Sequence, residues 1–403
     1  MDKELVSEVC LINKDKKEEL TREEALLEAK EILCGLKDKM DPVLLNTIKS
    51  VFHFDLDGVP VFASAHGNGH INRTVMVTTS SGKKYILQRV SEVFDIPGLM
   101  KNVEAITSHI ASKVDDPRMS LHLVKTLDGE SYYHDETGSF RVFDFVDNSI
   151  CLELPETPYD FYNCALAFGD FQNQLADFDA ASLFEPIPDF HNTVKRYQTF
   201  HETIAKDPMK RAAGVQKEIE YALSKEEECC LLHKMRLAGS LPLRVTHNDT
   251  KINNVMLDKD TRKPLCVLDL DTVMPGLSLY DFGDAIRSGA GTAMEDEIEY
   301  EKMTIDLTMF EAFTRGFLEA CKLTDEEVRC LPLGAKVMTM ETGIRFLTDY
   351  LDGDHYFGIH RPDHNLDRSR TQFALVADME AHWDEMKAIV NRLAKELYGH
   401  EVY

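Results

Sequence analysis

Between Arg244 and Gly276 the chain reads RVTHNDTKINNVMLDKDTRKPLCVLDLDTVMPG. This stretch limits the possible folds more than any other. Two apolar runs, at 255–257 and 265–268, flank a polar segment, which is the pattern of a hairpin. The first run follows a polar loop that holds His247, Asp249 and Asn254. The second ends on Asp269, with Asp271 two residues on, on the same side if the chain stays extended. Carboxylates at the end of a buried strand are costly unless something compensates them. A hairpin would bring both loop ends together and set three or four oxygen ligands around one cation.

Composition narrows the setting. Of the 403 residues 43% are hydrophobic, which suits a packed globular protein. No run of about 18 apolar residues is present, so no membrane span is expected. The charged start, MDKELVSEVCLINKDKKEELTREE, lacks the apolar core of a secretory signal. Nine cysteines, without a CxxC pair, read as reduced thiols in a cytoplasm. The net charge of -25 disfavours nucleic acid and anionic membranes as partners. It suits cationic or neutral small substrates, so a polyanion must be met locally. Nothing demands more than a monomer.

Along the chain, residues 1–50 read as a helical N-terminal extension. Thr21 and Glu24 form a capping-box pattern, and Leu26, Leu27, Ala29, Ile32, Leu33 and Leu36 supply an apolar stripe. Residues 51–147 alternate β-branched runs with Gly and Ser turns, including a hairpin turn at Ser80-Ser81-Gly82, and one helix follows the third strand. Residues 148–403 read as mainly helical, with expected helices at 294–321 and from Ala374 to the end. The fold class expected is α+β, with a small β-rich lobe before a larger helical one. A cleft between lobes is the default ligand site.

His247-x-Asp249, with Asn254 five residues on, has the spacing of a phosphotransferase catalytic loop. There the Asp accepts the proton of an attacking hydroxyl and the Asn amide oxygen reaches a magnesium ion. Asn253 competes for the metal role, but its spacing from Asp249 is four. A literal Asp281-Phe282-Gly283 imitates a kinase metal motif. It does not leave a buried strand as Asp269 does, so Asp281 reads as a helix N-cap and Asp284 as a first-turn residue that is structural or braces the loop.

THNDTKINNVMLD and VLDLDTVMPGLSLYDFGDAIRSGA together resemble the aminoglycoside phosphotransferase and choline kinase-like superfamily. The wording is most similar to bacterial N-acetylhexosamine 1-kinases. GNGHINRT, KYILQRV, PDFHNT, GIRFLTDYLDGDHYF and HNLDRSR extend the resemblance over about 52–375, leaving out the N-terminal helix. It implies a protein-kinase-like bilobal fold, ATP and Mg²⁺ as cofactors, Asp249 as catalytic base, and Asn254 and Asp269 as metal ligands. Asp271 would be a supporting or second-metal carboxylate, and His247 a brace. Gly67 and Gly69 would approach the phosphates, with His70 or Asn72 near phosphate or sugar.

The same resemblance places a phosphate-pairing cation in KYILQRV, at Gln88 or Arg89. Arg89 is preferred because a cation is needed there, with Glu104 as its acidic partner. Phe143, Phe145 and Val146 would line the adenine hinge. In the acceptor segment Arg345 and Asp349 stand at i, i+4, an ordinary helix ion pair or a sugar grip, with His191 and Tyr350 as further substrate candidates. The expected function is transfer of the γ-phosphoryl group of ATP to the C1 hydroxyl of N-acetylglucosamine or N-acetylgalactosamine. Its rivals are a sibling kinase acting on choline, ethanolamine, homoserine or an aminoglycoside, and a non-catalytic pseudokinase that binds nucleotide or sugar. A metal-dependent hydrolase would want more His ligands than the chain offers.

Overall fold

The computed structural model describes residues 7–12, 21–66 and 72–403. It forms two compact units, one ending at Asp147 and one running from Asn148 to Tyr403.

The first unit is built on an antiparallel sheet. Its strands are β1 (Glu8–Cys10), β2 (Pro60–Ala65), β3 (Arg73–Thr79), β4 (Lys84–Val90), β5 (Leu123–Val124), β6 (Tyr133–Asp135) and β7 (Gly138–Asp144). They run in the order β1-β2-β3-β4-β7-β5, with β6 also on β7. Register makes the two faces chemically different. Val75 faces Leu87, Val77 faces Tyr85 and Leu87 faces Val142 across the ladders. These residues form one apolar face, and α1 (Arg22–Cys34) and α2 (Pro42–Ser50) cover it with Leu33, Leu45 and Ile48. The other face carries Thr74, Met76, Ile86, Gln88 and Arg141, by the two-residue alternation of a strand. Gly82 closes the β3–β4 hairpin at φ 87°, a left-handed geometry that glycine adopts without steric cost.

Thr21 and Glu24 form the capping box at the start of α1. Of the stripe read from sequence, Ala29 and Leu33 are buried, while Leu27 is 63% exposed. The stretch read as a separate extension is woven into the first unit. A strand within it, β1, pairs with β2, because Val9 and Leu11 supply apolar residues to the same core. Helix α3 (Ile96–Ala111) follows β4.

The second unit opens with β8 (Ser149–Ile150) and is otherwise helical around two small sheets. Helices α4 (Pro158–Gln174), α5 (Thr193–Lys206), α6 (Gln216–Ser224), α7 (Glu226–Cys229) and α8 (Leu231–Leu237) precede strands β9 (Arg244–Thr246), β10 (Val255–Asp258), β11 (Pro264–Val267) and β12 (Met274–Gly276). Then come α9 (Ser278–Gly289), α10 (Leu307–Ala320), α11 (Asp325–Arg329), α12 (Leu331–Asp352), α13 (His364–Ala381) and α14 (Trp383–Tyr398). Phe282 of α9 packs against Phe310, Phe313 and Phe317 of α10.

Helices α9 and α12 cross closely through Gly283 and Gly334. A methyl group at Gly283 would lie 2.6 Å from Met338 Cγ and 2.7 Å from the Gly334 carbonyl carbon. The helix read over 294–321 is shorter, because Asp306 caps α10 by accepting from the Thr308 and Met309 amides. All nine cysteines are free. Among the described residues no helix is long and apolar enough to cross a membrane.

Candidate active site

Strands β10 and β11 pair with Val255 opposite Val267. The hairpin therefore brings Asn254 and Leu268 side by side, and the Leu268 amide donates to the Asn254 carbonyl at 2.8 Å. The two polar loop ends meet at its open end. Asn254 Nδ2 donates to the Asp249 carbonyl at 2.8 Å and to Asp249 Oδ2 at 3.1 Å. Spending both amide hydrogens on Asp249 leaves the Asn254 Oδ1 as an acceptor. Lys251 Nζ stands 3.2 Å from Asp249 Oδ1, and the Asp249 charge holds this ammonium above the usual lysine range. Lys251 was not singled out from sequence. Its place two residues after Asp249 was the available signal.

Beyond Asp269 the chain is not extended. Asp269 adopts a left-handed backbone at φ 54° and ψ 63°, and residues 270–272 turn as a short 3₁₀ segment. The same-side relation of Asp269 and Asp271 expected of a strand is therefore absent, and Asp271 is buried. A non-glycine residue in this region is uncommon and persists where surrounding structure imposes it. Among the described residues no group of three or more His, Cys, Asp or Glu forms a ready metal cluster. The donors present are an amide oxygen and carboxylates. That set fits a hard cation such as Mg²⁺, which needs few protein ligands and keeps waters or phosphate oxygens for the rest.

The loop is held from beneath by α9. Asp281 is not the cap of its own helix: Leu277 occupies that position, without a side-chain cap. Its buried carboxylate accepts instead from the His247 amide at 2.9 Å, the Asn248 amide at 2.7 Å and Gln172 Nε2 at 2.6 Å. Burial pushes the Asp281 pKa up. Asp284 accepts from the Thr250 amide at 2.9 Å and from Arg287 at 2.8 Å. Burial opposes its charge, but Arg287 and Lys251 hold its pKa below the usual carboxylate value.

His247 is fully buried against Phe168 and Phe171. Its Nδ1 accepts from the Asp249 amide at 3.3 Å. Its proton therefore sits on Nε2, which lies 2.7 Å from the Leu268 carbonyl. His247 thus ties the two loop ends together.

In the first unit, Gly67 and Gly69, with His70, lie outside the described residues. Asn72 accepts from the Ser91 amide. Arg89 shares the face of Tyr85 and Leu87, where it donates to the Thr137 carbonyl at 3.2 Å and pairs with Glu92 at 2.6 Å. It does not pair with Glu104, which pairs with Lys125. One residue of strand alternation separates the faces, and Gln88 occupies the other one. There Arg141, 2% exposed, donates to Gln88 Oε1 at 3.0 Å and lies 5.3 Å from the Phe143 ring. Phe143 and Val146 are buried. The Phe145 amide is already bonded to the Lys84 carbonyl. An arginine inside the apolar run FRVFDF was the sequence signal for Arg141.

The acceptor candidates separate. Arg345 and Asp349 form no pair. The Asp349 carboxylate accepts from the amides of His355, Tyr356 and Phe357 at 2.8–2.9 Å and from Asn365 at 3.0 Å. That gathers the loop after α12 and sets two rings beside Arg345. Its guanidinium lies 5.2 Å from Phe190, 5.5 Å from Phe357 and 5.8 Å from Tyr356. Tyr350 stands apart, under the Arg211 guanidinium at 4.6 Å.

His191 faces inward. Its Nδ1 is 2.8 Å from Glu341 Oε1 and its Nε2 3.1 Å from the Asn248 carbonyl. It thus joins α12 to the residue before Asp249. Burial works against the Glu341 carboxylate, yet His191, Arg196 and Thr193 hold its pKa below the usual value.

A sheet-rich unit followed by a helical one, with an Asp and Asn five residues apart on a braced loop before a hairpin, defines a kinase-like phosphotransferase. The model of the APH phosphotransferase enzyme family matches residues 63–303, more than half of the chain, and the chain belongs to that family. Solved structures agree in fold. An aminoglycoside phosphotransferase from Alicyclobacillus acidocaldarius is 14% identical, with a TM-score of 0.57 over 87% of this chain and 95% of that one. An amicoumacin kinase in complex with AMP-PNP and Ca²⁺ is 14% identical, with a TM-score of 0.52 over 86% and 95%. A choline kinase from Cryptosporidium parvum is 11% identical, with a TM-score of 0.52 over 92% and 99%.

Proposed function

We propose that this chain is an ATP- and Mg²⁺-dependent kinase that phosphorylates the C1 hydroxyl of an N-acetylhexosamine. The observation that carries the transfer chemistry is the fixed Asp249 loop. The amides of four consecutive loop residues are anchored: those of His247 and Asn248 on Asp281, that of Thr250 on Asp284, and that of Asp249 on His247 Nδ1. The Asp249 carboxylate is thereby oriented and remains 29% exposed. The sugar hydroxyl oxygen attacks the γ-phosphorus, its proton passes to Asp249, and the bond to the β–γ bridging oxygen breaks to release ADP. Such catalysis is positioning and electrostatics, with no covalent enzyme intermediate.

Asn254 and Asp269 would hold Mg²⁺, with Asp271 behind them. When bound, the ion neutralises charge on the phosphates. Lys251, beside Asp249, would meet the transferred group. The acceptor reading rests on Arg345: a boxed guanidinium favours a carbonyl or hydroxyl oxygen and repels the cationic heads of choline, ethanolamine or an aminoglycoside.

The test is ATP consumption with Mg²⁺ against N-acetylglucosamine, N-acetylgalactosamine, glucose, choline, homoserine and kanamycin, with the phosphate position read by ³¹P NMR. A 1-phosphate of an N-acetylhexosamine is expected, and turnover of the cationic acceptors alone would replace the acceptor. Asp249→Asn is expected to cut turnover about 10²–10⁴-fold with ATP affinity retained. Equal turnover would remove Asp249 from its role.

A further inference from the structure

The second unit contains 13 arginines, and nine form ion pairs with Asp or Glu. The other four are Arg196, Arg236, Arg345 and Arg368, and none of them forms an ion pair among the described residues, although the Glu341 and Asp189 charges act on Arg196. They are not scattered. Arg345 lies over Phe190 and Phe357, and Arg196 donates to the Phe190 carbonyl at 2.6 Å. Arg236 lines a cavity of about 90 Å³ that Phe190 and His191 also line. Arg368 lies over Phe346, whose ring is 4.5 Å from that of Phe357. The Nε atoms of Arg236 and Arg368 are buried without a hydrogen-bond partner.

Three of the acids near this patch are engaged elsewhere. Asp349 is turned onto backbone amides, Asp189 pairs with Lys195, and Glu341 accepts from His191 and Thr193. Glu185, which lines the cavity with Arg236, forms no ion pair among the described residues. A chain with a net charge of -25 thus leaves four cations without an ion pair among the described residues around one group of rings. Mutual repulsion disfavours that arrangement unless a ligand supplies the missing charge. Burial and the neighbouring Arg345 together hold the Arg196 guanidinium below the usual arginine range.

We infer that the acceptor carries an oxyanion, a carboxylate or a sulfate ester, gripped by Arg345 with Arg196 beside it. A guanidinium presents a planar fork of donors that matches such a group bidentately, and the rings on Arg345 orient the fork and partly shield it from water. The site adjoins the reacting loop. Phe190 precedes His191, and His191 bonds the carbonyl of Asn248, the residue before Asp249. This inference rests on the acceptor reading above and adds a charge to it: the sugar taken best is an acidic N-acetylhexosamine.

The experiment compares kcat/KM for N-acetylglucosamine, its 6-sulfate and a uronic acid of the same series, using the full chain and the variants Arg345→Gln, Arg345→Lys and Arg196→Gln. For the wild type we expect one acidic sugar to be preferred by about tenfold or more. The sulfate and carboxylate arms show which group the fork takes. Arg345→Gln should erase the preference mainly through KM, and Arg345→Lys should restore part of it. A wild type that prefers the neutral sugar, or an Arg345→Gln variant that keeps the acidic preference, overturns the inference and leaves the kinase reading intact.

If no hexosamine is phosphorylated, the hexosamine reading fails, and calorimetric titration with sulfate and with glucuronate decides this one separately. Binding that is lost in Arg345→Gln but kept in a surface variant supports an oxyanion site. No binding, or binding that Arg345→Gln leaves unchanged, overturns it. Circular dichroism of each variant excludes loss of fold as the cause.

Discussion

Glu341 shows how one buried carboxylate can serve both stability and the reacting loop. It is fully buried on α12, where an isolated charge would be expensive. His191 and Thr193 hydrogen-bond it, and Arg196 adds a favourable charge. Its pKa is lowered from the ordinary 4.5, so the unfolded chain binds its proton more readily than the folded one. The stabilisation is complete above the ordinary value and fades as pH falls through the lower folded value. We predict that the urea midpoint of the wild type drops more steeply between pH 6 and about pH 3 than that of Glu341→Gln. Parallel curves would show that Glu341 gains no such stabilisation in the fold.

Elements decide whether those residues meet. Helix α9 places Asp281 and Asp284 under the loop only because Gly283 lets it lie close to α12. Gly283→Ala should cost about 1–3 kcal/mol through overpacking and lower turnover by shifting the loop's anchors. Gly214→Ala, where a methyl meets nothing within 4 Å, serves as the control and should change stability by less than about 0.5 kcal/mol. Both are read by urea denaturation and steady-state kinetics, and equal effects would refute the close-packing argument.

The same scale explains what was legible in the sequence. The hairpin that joins Asn254 to Leu268 depends on local pattern, and the Asp249–Asn254 spacing is fixed within one loop, so both could be read. The capping box at Thr21 is equally local. Which of Gln88 and Arg89 shares a face with Arg141 depends on strand register, and Glu104 meets Lys125 from a segment 21 residues away. Asp349 has the helix spacing of an Arg345 partner, but the chain folds back and offers it four hydrogen-bond donors instead. Asp281 looks like a cap because its helix start is visible, whereas the loop amides it holds belong to residues 34 and 33 positions earlier.

For the whole molecule the dominant quantity is the net charge of -25. Like charges spread over a surface repel, and the folded state concentrates them. Opposing this are surface ion pairs such as Lys206–Glu202, with both side chains about 70% exposed, and each such pair contributes only ~0–1 kcal/mol. Salt weakens both, but not equally. The Debye length is about 10 Å at 0.1 M, so added salt screens repulsion between distant carboxylates more completely than attraction between groups in contact. The buried anchors, Arg287 with Asp284 and Glu341 with His191, are screened least. We therefore predict that the melting temperature rises as NaCl is increased from 10 to 300 mM, measured by differential scanning fluorimetry at pH 7.5 without nucleotide. A falling melting temperature would mean that the ion pairs outweigh the self-repulsion of the acidic surface. The same field opposes the approach of any anionic ligand, so a chain of this charge that takes one must meet it with locally placed cations.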